Sequence, residues 1–305
     1  MFPKPVKTLE DYDLTLKFFE KLLRSDSECH LEDEYPLAFH KNQMDHIFVS
    51  RPGGEPLAGL ATLEREIEGQ KNTSYKALFV GSVVTDPKAR HQGLQRQLFH
   101  AIDEAAEAWG IDFIVLWSNQ TDFYKKLGFE LAGLQASWIS NGSSTIKKNP
   151  KIITRVGSTL EMPISEKHFA SFSKKTFRVK RSLDEMKKLW RIPKMLVACT
   201  ENAYALVGKG EDFQGICHEW AGPAEEVLAC FDALKTQLPQ LRILSPGILH
   251  DGDESAVVDA LEAASFECRL EYLGLFKAVS SRVSIKDFAP EDLKLPFFIW
   301  GLDSI

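Results

Sequence analysis

The residues with the clearest chemical potential lie in a short segment that joins a predicted strand to a predicted helix. This segment, residues 86–96, contains Gly93 and the basic residues Arg90 and Arg96. Backbone N–H groups at the start of a helix have no partners within the helix, so such a junction attracts anions. Gly93 would let the backbone approach a phosphate closely. The segment therefore predicts an anion site, although the glycine taken alone favours an ordinary tight turn.

Alternating strand and helix patterns surround this segment. Apolar periodicity predicts helices over 9–23, 32–40, 94–109 and 124–127, and strands over 47–49, 57–63, 77–84, 113–117 and 129–131. The strand at 77–84 is almost continuously apolar, which is typical of a strand buried on both faces. The order is β-β-β-α-β-α-β. It predicts an α+β (mixed α/β) fold, with a mixed central sheet and flanking helices.

With its elements in this order, the chain resembles the GNAT superfamily of acyl-CoA-dependent N-acetyltransferases. Pro87, Arg90 and Gly93 match the family pattern Pro-x-x-Arg-x-x-Gly-x-Gly/Ala, with Gln95 at its last position. Residues 123–129, Phe-Tyr-Lys-Lys-Leu-Gly-Phe, match the second signature, a tyrosine shortly before Gly-Phe. The resemblance covers residues 5–140 and implies the GNAT fold.

The resemblance also implies a site for acetyl-CoA as a cosubstrate. The pyrophosphate would bind the main-chain amides of residues 91–96, and the pantetheine arm would hydrogen-bond like an added strand along residues 83–85. Tyr124 would stand near the sulfur and protonate it as a general acid. The residues implied to contact the cofactor are Val83, Val84, Thr85, Arg90, His91, Gln92, Gly93, Leu94, Gln95, Arg96 and Asn119.

Two features of the segment depart from the family pattern. Gln95 replaces the small residue that is usual at the last motif position, and its larger side chain would crowd or reshape a phosphate site. The loop between Trp117 and Tyr124 is shorter than usual, so Asn119 is assigned by position alone.

The general base is left open by the sequence. Many relatives carry a carboxylate on the strand before the phosphate segment, but residues 75–85 contain no acidic residue. Glu64, Glu66 and Asp86 are the nearest candidates in the sequence, and an ordinary surface carboxylate is the favoured interpretation of each. A water relay, or a substrate that arrives partly neutral, is an alternative.

The second half of the chain repeats the predicted order of elements. Strands are predicted over 196–198, 204–207, 215–220, 241–244 and 269–276, and helices over 224–236 and 256–264. Glu225 and Glu226 open the first of these helices, where they complement the helix dipole and would repel a pyrophosphate. The adjacent residues His218 and Glu219 point to opposite faces of a strand, which favours structural roles for both. We therefore predict a degenerate GNAT-like domain without a CoA site.

Composition limits the class of protein. The chain has 305 residues, of which 44% are hydrophobic and 26% charged, an ordinary globular balance for about two domains. The linker-like composition of residues 139–151 predicts domains at 1–145 and 146–305. A net charge of −6 argues against nucleic-acid binding. The basic cluster at 174–181 could bind an anion, but a solvated helix face is the favoured interpretation.

Location and metal content also follow from sequence patterns. No apolar stretch approaches the length of a membrane helix and no signal peptide is visible, so a cytoplasmic protein with no membrane partner is expected. The five cysteines form no C-x-x-C pair. They are predicted to be reduced, and no metal is expected.

The predicted function is N-acetyl transfer. An acetyl group would pass from acetyl-CoA to a primary amine of a small molecule or protein by direct attack, which makes the chain an acyltransferase; its oligomeric state is left open. One alternative is a non-catalytic acyl-CoA-binding or regulatory protein, suggested by Gln95 and by the missing strand carboxylate. A further alternative keeps the fold but transfers a bulkier acyl group.

Overall fold

The computed structural model describes residues 3–69, 73–141, 144–146, 149–175, 177–247, 253–288 and 297–305. Within these ranges the first half of the chain contains six strands and four helices. They are β1 (Lys4–Pro5), α1 (Leu9–Leu23), α2 (Leu31–Glu34), β2 (Ile47–Ser50), β3 (Ala58–Glu68), β4 (Ser74–Thr85), α3 (Leu94–Ala108), β5 (Phe113–Leu116), α4 (Thr121–Lys125) and β6 (Glu130–Ile139). The predicted order β-β-β-α-β-α-β is confirmed for this half.

The described second half contains the remaining strands and helices. They are β7 (Arg155–Ser158), α5 (Glu166–Phe172), β8 (Arg178–Val179), α6 (Leu183–Leu189), β9 (Leu196–Cys199), β10 (Tyr204–Lys209), β11 (Asp212–Ala221), α7 (Ala224–Gln237), β12 (Arg242–Pro246), α8 (Asp253–Ala263) and β13 (Glu267–Ala278). The run from β9 to β13 confirms the predicted repeat of the first half. The predicted linker spans residues 139–151, of which 142–143 and 147–148 lie outside the described ranges.

The ends of the first-half helices follow from local sequence. Helix α1 begins after Thr8, whose hydroxyl oxygen accepts a hydrogen bond from the Asp11 amide at 3.1 Å, an N-cap. Helix α2 is shorter than the predicted 32–40, because Pro36 disfavours helical backbone at the residue before it. Helix α3 is followed by Gly110 in the left-handed region, with φ of 65°.

All of these strands belong to one continuous sheet. Its main path runs β1-β2-β3-β4-β5-β13-β6-β12-β11-β10-β9-β7, and β8 pairs with β3. Strand β13, from the second half, lies between β5 and β6, while β6 lies between β13 and β12. The final strands of the two halves are thus exchanged. Sequence periodicity predicted these strands but not their order across the sheet.

The short strand β5 leaves a gap in the sheet. Pairing between β4 and β5 ends at Phe79 opposite Val115, although β4 continues to Thr85. On the other side of β5, pairing with β13 ends at Leu275 opposite Leu116, and residues 267–274 of β13 run on past the end of β5. We call the gap between residues 80–85 and residues 267–274 the sheet opening. In the described parts of the chain, no strand pairs with either facing edge.

Two apolar clusters hold helices against the sheet. Helix α3 packs on one face through a buried stripe that includes Leu98, Phe99 and Ile102. The opposite cluster contains Phe19 of α1 and extends through the second half. Strand β4 lies between the clusters, and its residues Ala77–Val80 are almost fully buried, as the apolar run predicted. No helix in the described ranges is long and apolar enough to cross a membrane.

Residues 297–305 tie the two halves together. Trp300 is fully buried against Trp220 of β11, with ring centroids 5.2 Å apart. Asp303 is bound by Arg181, and the ammonium of Lys209 donates to the carbonyl oxygens of Gly301 and Leu302, both at 3.3 Å. The segment leads to Ile305, whose main-chain oxygen occupies the space that a Cβ on Gly81 of β4 would need. A residue larger than glycine is therefore excluded at position 81.

Candidate functional site

A cleft of about 800 Å³ lies beside the end of β4. It is formed by the end of α1, the end of β4, the segment that leads into α3, and the start of α4. Its lining residues are Leu22, Leu23, Val83, Val84, Thr85, Ala89, Arg90, His91, Gly93, Leu94, Gln95, Arg96, Gln120 and Phe123. We call it the first-half cleft. Nine of the eleven residues predicted to contact a cofactor line this cleft, and their contact with a cofactor stays a prediction.

Three predicted site residues lie outside that lining. The Gln92 side-chain amide donates to the Lys88 carbonyl oxygen at 3.3 Å, which ties it to the preceding turn. Asn119 is exposed in the loop after β5. Tyr124 is buried, and its ring packs against that of Phe123, which does line the cleft.

The start of α3 presents unpaired amides to the cleft. Its N-cap residue, Gly93, has φ of 75° and makes no side-chain cap, so no side chain of the helix satisfies its first N–H groups. A Cβ at position 93 would meet nothing within 4 Å, which shows that the space in front of this glycine is open. Within the described residues, Arg90 and Arg96 form no ion pair. The segment has the charge and free donors of an anion site.

The end of β4 offers a second set of free polar groups. Residues 80–85 pair with β3 on one side and face the sheet opening on the other. Ser82 has a positive φ of 51°, and the register between β3 and β4 shifts beside it, so the strand is locally irregular. The buried hydroxyl of Thr85 has no hydrogen-bond partner among the described residues. An amide-rich arm such as pantetheine could pair with this edge and satisfy that hydroxyl.

Tyr124 sits in an aromatic cluster on α4. Its ring packs edge-on against Phe99, Phe123 and Phe129, with centroids 5.5, 5.1 and 5.9 Å away. Burial raises the pKa of its phenol, because the phenolate would lose its hydration, while a hydrogen bond with Ser118 lowers the pKa in part. The hydroxyl therefore carries its proton at neutral pH, as a proton donor must.

The candidate bases are all engaged elsewhere. A carboxylate oxygen of Glu64 lies 3.1 Å from Nζ of Lys76. Glu66 accepts from Ser74 at 2.8 Å and from Lys180 at 3.0 Å, and these hydrogen bonds lower its pKa. Asp86 accepts from the Lys88 amide at 2.9 Å and so caps the short turn at Pro87–Ala89. Each has a structural partner, and the base stays unassigned.

The basic cluster at 174–181 is neither an anion patch nor a solvated helix face. Four of its five cations form ion pairs with carboxylates: Lys175 with Glu254, Arg178 with Glu68, Lys180 with Glu66, and Arg181 with Glu219 and Asp303. Lys175 and Arg181 are buried, and residues 178–179 form a strand. Local charge density alone did not reveal these distant partners.

A second cleft, of about 530 Å³, lies at the start of α7. Its position in the second half corresponds to that of the first-half cleft, and it is lined by Lys167, Ala170, Ser171, Lys174, Lys175, Asn202, Trp220, Gly222, Pro223, Asp253 and Glu254. Carboxylates occupy the helix starts around it. Glu226 accepts from the amide and side chain of Asn202 at 3.2 and 3.0 Å. Asp253 accepts from the Ala224 amide at 3.4 Å.

Several residues of the site were not predicted from the sequence. Leu22 and Leu23 close the first-half cleft from the last turn of α1, while Gln120 and Phe123 approach it from α4. The amphipathic pattern of α1 shows that these leucines are buried but not what they face. Gly81, in an otherwise apolar strand, was a signal for close backbone approach, yet nothing local indicated Ile305 as the neighbour.

Among the residues that the structure describes, no three His, Cys, Asp or Glu side chains come together in a group that could hold a metal ion.

Comparison with known proteins supports the same fold. Residues 13–132 match the family described as acetyltransferase (GNAT) domain. No curated protein matches the sequence. A conserved protein of unknown function from Enterococcus faecalis, a probable N-acyltransferase, is 11% identical with a TM-score of 0.65, over 90% of this chain and 71% of its own.

Two further solved structures are similar over most of the chain. Eis1 from Mycobacterium abscessus is 11% identical with a TM-score of 0.62, over 92% of this chain and 74% of its own. A GCN5-related N-acetyltransferase from Anabaena variabilis is 14% identical with a TM-score of 0.63, over 91% and 72%. At these identities the similarity shows the fold. The family match itself is confined to residues 13–132, within the first half of the chain.

Proposed function

We propose that the first half of the chain transfers an acetyl group from acetyl-CoA to a primary amine. The observation that carries this proposal is the meeting, in one cleft, of a helix start without a side-chain cap and a strand edge that no described strand pairs with. The pyrophosphate would bind the amides of residues 91–96, with Arg90 and Arg96 beside it. The pantetheine arm would pair with residues 83–85, and the hydroxyl of Thr85 would gain a partner.

The reaction would proceed by direct attack. The neutral amine nitrogen adds to the thioester carbonyl carbon, and collapse of the tetrahedral intermediate breaks the C–S bond. The departing sulfur takes the proton of Tyr124, whose phenol is kept protonated by burial, and solvent later restores that proton. The proton lost by the amine passes to water, since Glu64, Glu66 and Asp86 have partners of their own.

The second half would have a different role. We place the domain boundary between residues 145 and 146 and propose that the second domain binds no CoA, because carboxylates occupy the corresponding helix starts. It would instead shape the acceptor side of the first-half cleft. Residues 297–305 support that role, since they join the Arg181 cluster to Gly81 of β4. We expect the protein to act in the cytoplasm.

A second candidate function is acyl-CoA binding without turnover. It is favoured by Gln95, which lines the first-half cleft in place of a small residue, and by the partners that already engage Glu64, Glu66 and Asp86. Transfer of an acyl group larger than acetyl is the remaining variant, with the apolar Leu22 and Leu23 available to contact it.

Two measurements test the proposal. Calorimetric titration with acetyl-CoA should show saturable binding, and release of free thiol in the presence of a panel of primary amines should show turnover. Binding without thiol release would favour the binding protein. No heat and no thermal shift at millimolar acetyl-CoA would refute both functions.

A further inference from the structure

We propose that Ile305 restricts the transferred group to acetyl, because its side chain lies at the inner end of the sheet opening, where the acyl group would be held. The inference rests on the proposed function, since it concerns the group that the proposed cofactor carries. It selects acetyl over the larger acyl groups that the sequence left open.

The first argument is the length of the pantetheine arm. Its pyrophosphate end would bind at residues 91–96, which follow β4, so the arm would run back along β4 from Thr85 toward lower residue numbers. Between the phosphate oxygen and the sulfur, the arm has about as many backbone bonds as four amino-acid residues, and it spans roughly 13 Å when extended. Four residues back from Thr85 is Gly81. The thioester would therefore lie beside Gly81 and Ser82, at the inner end of the sheet opening.

The second argument is that Trp117, the first residue after β5, closes this inner end. The parallel register of β4 and β5, continued by two residues, brings Trp117 to the level of Gly81. The antiparallel register of β13 and β5, continued by one residue, brings Gly274 to the same level. A Cβ on Gly274 would lie 3.5 Å from Nε1 of Trp117. Trp117 therefore blocks the straight continuation of an acyl chain past the thioester, and a longer chain must turn toward one face of the sheet.

The third argument is what such a chain would meet on each face. Ile305 and Trp117 both pack against the apolar cluster on the α1 side, where the Trp117 ring lies 5.8 Å from that of Phe79. The carbonyl group of Ile305 occupies the space that a Cβ on Gly81 would need, and its Cγ1 lies 3.0 Å from that Cβ position. Tyr124 belongs to the cluster on the α3 side. A chain that turned toward α1 would therefore meet Ile305, and one that turned toward α3 would meet Tyr124.

The residues before Ile305 hold it in position. The buried ammonium of Lys209 donates to Oγ of Ser304 at 3.2 Å and also to the Ser304 carbonyl oxygen. Nε of Arg181 donates to the buried carboxylate of Asp303 at 2.9 Å. These contacts would have to break for Ile305 to move out of the way. A side chain held in this way can discriminate between acyl groups that differ by one or two methylene groups.

The test compares the binding of CoA, acetyl-CoA and butyryl-CoA by calorimetry, which requires neither an acceptor nor turnover. The wild-type chain should bind butyryl-CoA at least 10-fold more weakly than acetyl-CoA. Ile305→Ala should bind butyryl-CoA about 10-fold more tightly than the wild type does, because burial of two further methylene groups contributes about that factor. Its Kd for CoA should not change. Equal affinity of the wild type for acetyl-CoA and butyryl-CoA would overturn the inference.

Two further variants provide the controls. Ile216→Ala is matched to Ile305→Ala, since Ile216 is a partly buried isoleucine that packs against the same cluster but lies on β11. It should keep the wild-type ratio of the Kd values for butyryl-CoA and acetyl-CoA. Ile305→Phe should weaken acetyl-CoA binding at least 5-fold and leave CoA binding intact, because the larger ring would overfill the acyl space. If Ile305→Ala and Ile216→Ala show the same ratio, Ile305 does not select the acyl group.

The remaining outcomes separate the two proposals. A chain that acetylates propylamine and transfers butyryl at the same rate would overturn this inference and leave acyl transfer standing. A chain that binds none of the three CoA compounds would overturn the proposed function, and this inference with it. Transfer of acetyl by the wild type, with transfer of butyryl gained only in Ile305→Ala, would support both.

Discussion

Arg181 and Glu219 form a two-pronged ion pair that is fully shielded from solvent. Nη1 and Nη2 of Arg181 donate to the two carboxylate oxygens of Glu219 at 2.9 and 2.8 Å. The same guanidinium also donates to Asp303, and Tyr204 donates to Glu219 at 2.9 Å. Every charge in this cluster has a hydrogen-bonding partner, which offsets the loss of hydration that burial imposes. The Arg181 side chain therefore links β11 to residues 297–305, the segment whose last residue, Ile305, lies against Gly81 of β4.

Removing Arg181 should destabilise the protein strongly. Arg181→Met removes the cation that Glu219 and Asp303 share and leaves Asp303 only its 3.8 Å contact with Arg65. Breaking a buried pair in this way costs about 3–5 kcal/mol. The free energy of unfolding, measured with urea, should fall by that amount. Lys180→Met is the control, because the neighbouring Lys180 pairs with Glu66 at the surface. If both variants lose the same free energy of unfolding, the buried cluster stabilises the protein no more than a surface ion pair does.

The anion site predicted in residues 86–96 can be tested by substitutions at Gly93. Gly93→Glu should abolish acetyl-CoA binding in calorimetry, because it adds bulk and negative charge in front of the unpaired amides of α3. The positive φ of Gly93 also strains any larger residue, so Gly93→Asn serves as the control, since asparagine tolerates this conformation. The asparagine variant should still bind. If the glutamate variant still binds acetyl-CoA, the binding site does not lie at the start of α3.

Tyr124→Phe should slow acyl transfer without weakening cofactor binding. It removes only the proton needed when the sulfur departs, and general acid catalysis contributes about 100-fold or more. The expected result is a lower kcat with an unchanged KM for acetyl-CoA. Tyr12→Phe removes a buried phenol outside the cleft and should leave kcat unchanged. An unaltered rate across the pH range would make Tyr124 a packing residue and water the proton source.

One acetyl-CoA should bind per chain. At the second-half cleft, Glu225 and Glu226 stand in the first turn of α7, and Pro223 lacks the N–H that a phosphate would use. Replacing both glutamates by glutamine should leave the stoichiometry at one in equilibrium dialysis. A stoichiometry of two, in the wild-type chain or in this variant, would contradict the argument.

Acid should destabilise the protein through His218. Burial lowers its pKa from 6.5 to about 3, and its Nε2 lies 2.8 Å from the Gly208 carbonyl oxygen. Below pH 6.5 the unfolded chain binds a proton at this residue that the folded chain does not, so stability falls as the pH drops toward 3. The loss amounts to at most about 5 kcal/mol. His218→Gln should flatten the urea-stability profile between pH 4 and 6.5, and a profile as steep as that of the wild type would refute the assignment.

Local pattern predicted the elements well, but it did not predict their partners. The stripe from Leu94 to Ile102 and the apolar run of β4 correctly predicted a helix packed on a buried strand. Nine of the eleven cofactor contacts that the family resemblance implied line one cleft, and their role there stays a prediction. The position of β13 beside β5 depends on pairing across more than 150 residues, and periodicity carries no such information. The partners of Arg181, Glu219 and Asp303, also lie far away in the sequence, so local spacing did not predict them. Short-range spacing reveals which side chains are buried, whereas their neighbours are determined by topology.

The exchange of β6 and β13 has a consequence for how the chain acquires its structure. During synthesis, β6 emerges long before β12 and β13, the two strands on either side of it. The first half therefore cannot complete its sheet until residues 267–278 have left the ribosome. Contacts of such long sequence separation slow folding, because a large loop must close before they form. The chain should fold and unfold as a single kinetic unit. In its early intermediates β6 still has an unpaired edge, and such an edge promotes aggregation.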